Sequence, residues 1–185
     1  MSLLYYSRVR VTTQLLPLLL SSTLPAHIIS IFGPQRDTAL IPSDLSLRDP
    51  KNYGYISSGV HAAYFKTFFF EHLANRYEGK LALIHYFPGL VLTEAFWDPN
   101  HPRVLRWGFR LGAPLLRMMA VKGEQSGERV IFNAPPRFPA RGEKVQEKKG
   151  GIGIVVASDG VVGGGTYKVD WNGKSSILLR NFCCF

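Results

Sequence analysis

The run Leu81-Ala82-Leu83-Ile84-His85-Tyr86-Phe87 constrains the fold more than any other stretch, because it is almost wholly apolar and halts at Pro88-Gly89. A continuous apolar run of this length, bounded by turn residues, reads as a strand covered on both faces. Proline removes a backbone donor and glycine opens φ > 0, so the strand cannot continue. A hydroxyl follows shortly after at Thr93. Ligands in open α/β sheets sit beyond the carboxyl ends of the strands. The segment from Pro88 to Thr93 is therefore the first candidate binding loop.

The neighbouring segments fit an α/β core. Residues 3–20 carry Val9, Leu15, Leu16, Leu19 and Leu20 near helical spacing, and the pattern predicts a helix with one apolar face inward, ending at Ser21-Ser22-Thr23-Leu24-Pro25. His27-Ile28-Ile29-Ser30-Ile31-Phe32, closed by Gly33-Pro34, reads as a buried strand. Residues 34–55, with Pro34, Pro42 and Pro50, form a long irregular connection. From Ser57 to Tyr77 a helical stripe of Ala62, Phe65, Phe69 and Leu73 is widened by Phe70, Ala74 and Tyr77. The triplet Phe68-Phe69-Phe70 sends rings to several sides, so a partner subunit on this helix is one expectation.

Beyond the candidate loop, Arg103 to Val121 alternates Arg103, Arg106, Arg110 and Arg117 with Val104, Leu105, Trp107, Leu111, Leu115 and Met118. Such a basic amphipathic helix can lie on a membrane; the preferred reading is a lid or a packed helix with its charges in solvent. Gly127 to Asn133 reads as a short helix or strand, Pro135 to Gly151 as a charged linker, and Ile152 to Ala157 as a last strand. Tyr167-Lys168-Val169-Asp170-Trp171 ahead of Asn172-Gly173 predicts a hairpin.

Composition excludes several classes. With 185 residues, 46% of them apolar, the chain is long enough for one substantial core. The net charge of +9 raises nucleic acid as a partner, and residues 101–149 hold eleven lysines and arginines against four acids. Those charges are dispersed over a helix and loops with no accompanying nucleic-acid motif, so no nucleic-acid function is expected. The histidines at 27, 61, 72, 85 and 101 lack metal-ligand spacing. The adjacent Cys183 and Cys184 read as reduced thiols, which places the protein in the cytoplasm. No run reaches the length of a transmembrane span. Arg8 and Arg10 ahead of Val11 to Leu20 imitate a secretory signal, but Pro17 interrupts its centre; secretion with cleavage near Ala26 is kept as an alternative.

Glycine motifs resolve into turns. Gly151-Ile-Gly153 lacks the third glycine of a dinucleotide fingerprint, and Gly160 to Gly165 lacks the Lys-Ser/Thr of a phosphate-gripping loop. No Gly-x-Ser-x-Gly nucleophile elbow occurs.

The ordered set of elements, with Tyr6-Ser7-Arg8, Leu15-Leu16-Pro17-Leu18-Leu19, His27-Ile28-Ile29-Ser30-Ile31, Phe70-Glu71-His72-Leu73-Ala74, Gly127-Glu128-Arg129-Val130-Ile131-Phe132 and Arg137-Phe138-Pro139-Ala140, resembles the carboxyl-terminal part of a short-chain dehydrogenase/reductase. The resemblance is to the divergent fungal members tied to secondary-metabolite pathways, and is strongest at Phe87-Pro88-Gly89-Leu90-Val91-Leu92-Thr93. It implies an α/β fold, a partial Rossmann-like, doubly wound parallel sheet lacking the amino-terminal cofactor-binding half, over residues 1–170, with a divergent tail at 171–185. It implies an NAD(P) cofactor, with Pro88, Gly89, Val91 and Thr93 lining the nicotinamide side of the pocket.

The same resemblance places the family's Tyr-x-x-x-Lys pair at Gly59 and Ala63, and its carbonyl-polarising serine near Phe32 or Gly33. Tyr64 and Lys66 lie close by but two residues apart, facing different ways on a helix. No catalytic residue and no metal ligand is therefore assigned. The expectation is a truncated oxidoreductase relative, inactive alone. Its rivals are an active enzyme whose first half lies outside this sequence, and a non-catalytic protein that pairs with an intact reductase through helix 57–77.

Overall fold

The computed structural model describes residues 2–32, 40–132, 137–143 and 153–177. A π-turn over Ser2–Tyr6 runs into α1 (Ser7–Leu20), followed by β1 (Ala26–Ile31), α2 (Tyr55–Arg76) and β2 (Leu81–Tyr86). Then come α3 (Arg103–Met119), α4 (Gly123–Phe132), β3 (Thr166–Val169) and β4 (Ser175–Ser176). The sheet order is β1-β2-β3-β4. β1 and β2 are parallel, with Ala26 opposite Leu81 and Ile31 opposite Tyr86; β2 and β3 are parallel, with Leu83 opposite Thr166. Only β4 turns back, pairing Val169 with Ser175. The protein is thus α/β, with a mixed and mostly parallel sheet.

β2 is buried along its whole length, as its apolar sequence requires of a strand with neighbours on both edges and cover on both faces. Its side chains alternate between two cores. Leu81 and Leu83 meet Phe70, Leu73 and Ala74 of α2, with Leu16, Leu19 and Leu20 of α1 at the margin. Ile84 and Tyr86 meet Phe138, Ala157, Tyr167 and Val169, with Val130 of α4 against them. Helices therefore pack on opposite faces of the sheet. The predicted helix over 57–77 is α2, and the Asn172-Gly173 hairpin joins β3 to β4 with Gly173 donating to the Asp170 carbonyl at 2.8 Å.

Several expectations change. β1 is half-buried rather than buried, because it lies at the sheet's edge with only β2 beside it among the described strands. The expected helix over 3–20 is α1 from Ser7, preceded by the π-turn, but none of the residues of α1 is fully buried; Pro17 sits inside it. Residues 137–143 are no linker: Phe138 and Ala140 are wholly buried, Phe138 as a plug under Tyr167 with ring centroids 5.1 Å apart. Residues 153–157 form no ladder; a single bridge joins Val156 to Val162. The segment from Gly127 is helical, as part of α4; Asn133 and the pair Cys183-Cys184 lie outside the described residues.

The connection before α2 is tied down by two side chains. The Asp44 carboxylate accepts the backbone N–H groups of Arg48 (2.8 Å) and Asp49 (2.9 Å) and the Asn52 amide (3.1 Å), which together hold its pKa below the usual carboxylate range. Buried His61 accepts the Ile41 N–H on Nε2 at 3.0 Å, and its Nδ1 lies 3.2 Å from the Leu45 carbonyl. The first bond requires a bare Nε2, so Nδ1 carries the proton and donates to Leu45.

Candidate functional site

β1 and β2 run parallel, so their carboxyl ends share one edge of the sheet. β2 leaves that edge into the Pro88–Thr93 loop. The Phe87 N–H donates to the Val169 carbonyl at 2.8 Å, carrying the β2–β3 pairing one residue past the strand. Gly89 then takes φ +82°, a value side-chain-bearing residues resist. A Cβ there would lie 3.2 Å from Trp171 and 3.3 Å from Val121, so the glycine is also needed for close packing. Val91 bridges to Val121, whose N–H donates to the Leu90 carbonyl at 2.8 Å. Thr93 is exposed and precedes a 3-10 turn over Glu94–Trp97 without capping it.

Pro88, Gly89, Val91 and Thr93 therefore form one continuous loop at the sheet edge where the sequence pattern puts a ligand. The fit to a whole dinucleotide is incomplete. The close approach that Gly89 allows is taken up by Trp171 and Val121 of the same chain, leaving Thr93 as the loop's exposed hydroxyl. Gly59 and Ala63 are both buried on α2, where neither can move a proton.

A second group at the same edge was not anticipated as a site. The Phe32 ring, just past β1, stacks on His85 of β2 at 6.2 Å with 13° between planes. Lys66 places its ammonium 4.2 Å from the Phe32 centroid, and the Arg8 guanidinium lies 5.6 Å from it. Arg8 is fixed by donating to the Ile31 carbonyl at 2.8 Å and to Ser30 Oγ at 3.4 Å. Lys66 is 2% exposed and its Nζ has no hydrogen-bond partner among the described residues. Burial first, and Arg8 second, push its pKa down to about 7. His85, wholly buried, is driven well below its ordinary pKa by desolvation, with Lys66, Lys168 and Arg8 adding to the effect, so it is neutral. Its Nδ1 lies 3.4 Å from Thr67 Oγ1, and its Nε2 has no hydrogen-bond partner among the described residues.

Tyr64 and Lys66 do diverge: Tyr64 packs with Val60 and Leu40, Lys66 under Phe32. One sequence signal would have found the cation. Lys66 lies four residues from both Ala62 and Phe70 on the buried stripe of α2, where a lone charge has no solvent to face. A cleft of about 590 Å³ opens beside this group, walled by α1, the edge strand β1, and Lys66, Phe69 and Phe70 of α2.

No family model and no solved structure matches the chain. It is 34% identical over 171 residues to a short-chain dehydrogenase/reductase of Stachybotrys chartarum, covering 91% of this chain and 48% of that protein. It is 33% identical over 177 residues to an NmrA-like family domain-containing oxidoreductase of an Aspergillus species, with 95% and 48% covered. An oxidoreductase of Emericella nidulans is 29% identical over 179 residues, with 93% and 51% covered. The chain spans about half the length of these curated relatives.

Proposed function

From its kinship with the fungal short-chain dehydrogenase/reductases and oxidoreductases, we propose that the chain is the substrate-side half of a partial Rossmann-like, NAD(P)-dependent oxidoreductase fold, and that alone it reduces no carbonyl compound efficiently. The pathway it descends from is proposed to be fungal secondary metabolism. The observation that carries this reading is the Pro88–Thr93 loop at the carboxyl end of a parallel strand, taken together with Gly59 and Ala63 on α2, which offer no acid or base. When bound, a nicotinamide cofactor supplies hydride. Pro88, Gly89, Val91 and Thr93 are the residues of this chain that would wall its nicotinamide side. A positioned proton donor is worth roughly a hundredfold to ten-thousandfold in rate, and α2 carries glycine and alanine at the two expected positions.

The test is turnover. The purified chain, given NADPH and a panel of aldehydes and ketones, is expected to oxidise the cofactor no faster than a blank. Sustained oxidation that scales with protein concentration would overturn the reading.

A second reading rests on β1. This edge strand has half-buried residues along the 590 Å³ cleft, with its outer backbone groups facing no described strand. Unpaired strand edges invite pairing or aggregation. We propose that the sheet continues past β1 with a strand from outside this sequence, either the rest of a longer protein or an intact relative. Of the aromatic triplet on α2, only Phe68 is well exposed, Phe70 being buried; the β1 edge is therefore the stronger pairing surface. The chain alone is expected to self-associate at micromolar concentration, and a monodisperse monomer in sedimentation velocity would count against this.

A further inference from the structure

α3 is amphipathic in the direction opposite to a packed lid. Val104, Trp107, Leu111, Leu115 and Met118 follow one another at steps of three, four, four and three residues and are each between 62% and 85% exposed. At helical spacing these form a single stripe. Phe109 and Leu116, on the other side of the helix, are half-buried, with the Phe109 ring against His101 at 6.1 Å. The expectation of a lid or packed helix with only its charges in solvent is thus corrected: the apolar stripe itself faces solvent. Contiguous exposed apolar surface of this kind marks an interaction site.

Charge identifies the partner. Arg103, Arg106, Arg110 and Arg117 line one flank of the stripe by helical geometry, and Lys122 follows. No Asp or Glu occurs from Pro99 to Gly123. A second copy of the chain pairing stripe to stripe would bring this arginine row against itself with no acidic partner from the segment, which is unfavourable. A surface with negative headgroups over an apolar interior satisfies both halves of the pattern at once. Trp107, within the stripe, is the residue type that settles at that boundary. No helix of the described residues is long and apolar enough to cross a membrane, so the geometry is that of a helix lying in the interface.

We propose that α3 docks the protein on an anionic lipid surface, with the Val104–Met118 stripe in the acyl boundary and the arginine flank on the lipid phosphates. The inference is independent of whether the chain binds a nucleotide.

Flotation of the full chain with vesicles tests it, because lipid-bound protein rises while aggregates sink. Protein is expected to float with phosphatidylcholine vesicles containing roughly one-third phosphatidylserine and to stay behind with phosphatidylcholine alone. The double variant Arg106→Gln/Arg110→Gln is expected to weaken binding at least about tenfold, and Leu111→Glu/Leu115→Glu to abolish it, both with unchanged circular dichroism. Tryptophan emission should shift to the blue only with the anionic vesicles. Three results would overturn the proposal: soluble protein that fails to float, equal flotation on neutral vesicles, or a stable dimer that Leu111→Glu splits, which would assign the stripe to a second copy.

Discussion

Replacing Lys66 with methionine is expected to stabilise the protein by a few kcal/mol near neutral pH, and the gain should shrink as pH rises toward about 10. The native ammonium is buried with no hydrogen-bond partner among the described residues and a pKa near 7, against 10.5 for a free lysine. Below pH 7 both native and unfolded chains carry the proton, so the full cost of burying the charge is present. Between 7 and 10.5 the unfolded chain keeps a proton that the native chain has released, so native stability rises with pH. Above that window both forms are neutral and the penalty is gone. The contact with the Phe32 face offsets part of the cost, about 1–2 kcal/mol for a desolvated cation over a ring. Methionine keeps the unbranched shape and removes the charge. Urea denaturation of both proteins at about pH 6, 8 and 9.5 resolves the effect. A methionine variant less stable than the parent at pH 6 would show that Lys66 has a stabilising partner after all.

The second large effect is expected at Gly165. Its φ is +81°, and a Cβ would lie 2.7 Å from the Arg141 backbone nitrogen and 3.0 Å from Arg141 Cβ. Neither atom can swing aside. Its carbonyl accepts the Leu83 N–H at 2.9 Å, so any shift loosens the register of β2 on β3. Gly165→Ala should therefore cost about 1–2 kcal/mol for the left-handed backbone and more for the clash, with loss of soluble protein as the extreme outcome. Gly163→Ala is the internal control. It has φ +71° but meets nothing closer than 3.7 Å, so it should lose only the backbone part. Equal midpoint shifts for the two variants would contradict this account.

That contrast shows which parts of the molecule were legible in the sequence. The Gly160–Gly165 stretch reads correctly as a turn rather than a phosphate loop. Its reason for being glycine is packing that the stretch itself does not show: Ala157 and Asp159 a few residues before it against Gly164, and Arg141 from a separate segment against Gly165. Periodicity found β2, α2 and the terminal hairpin, because strand and helix spacings are local properties. It misplaced Phe138 and Ala140 in a charged linker, since burial there is supplied by Tyr167 from another segment. Strand order was equally hidden: the apolar pattern of β1 does not reveal that one side has no neighbour. At the candidate site, Pro88 and Gly89 announced themselves as strand breakers, whereas the Arg8–Phe32–Lys66–His85 group is assembled from four separate elements and only Lys66 leaves a trace, as a charge on a buried stripe.

On the function proposed above, this chain holds the nicotinamide-side loop of an oxidoreductase fold without the groups that grip the rest of the dinucleotide or move the proton. NADPH titration, followed by the fluorescence of Trp97, Trp107 and Trp171 and repeated by calorimetry, tests it most directly. Trp171 packs against Gly89 in the loop itself and is the natural reporter. The account predicts no saturable change through the micromolar range. A saturable signal with a micromolar Kd, lost in Gly89→Val, would contradict it.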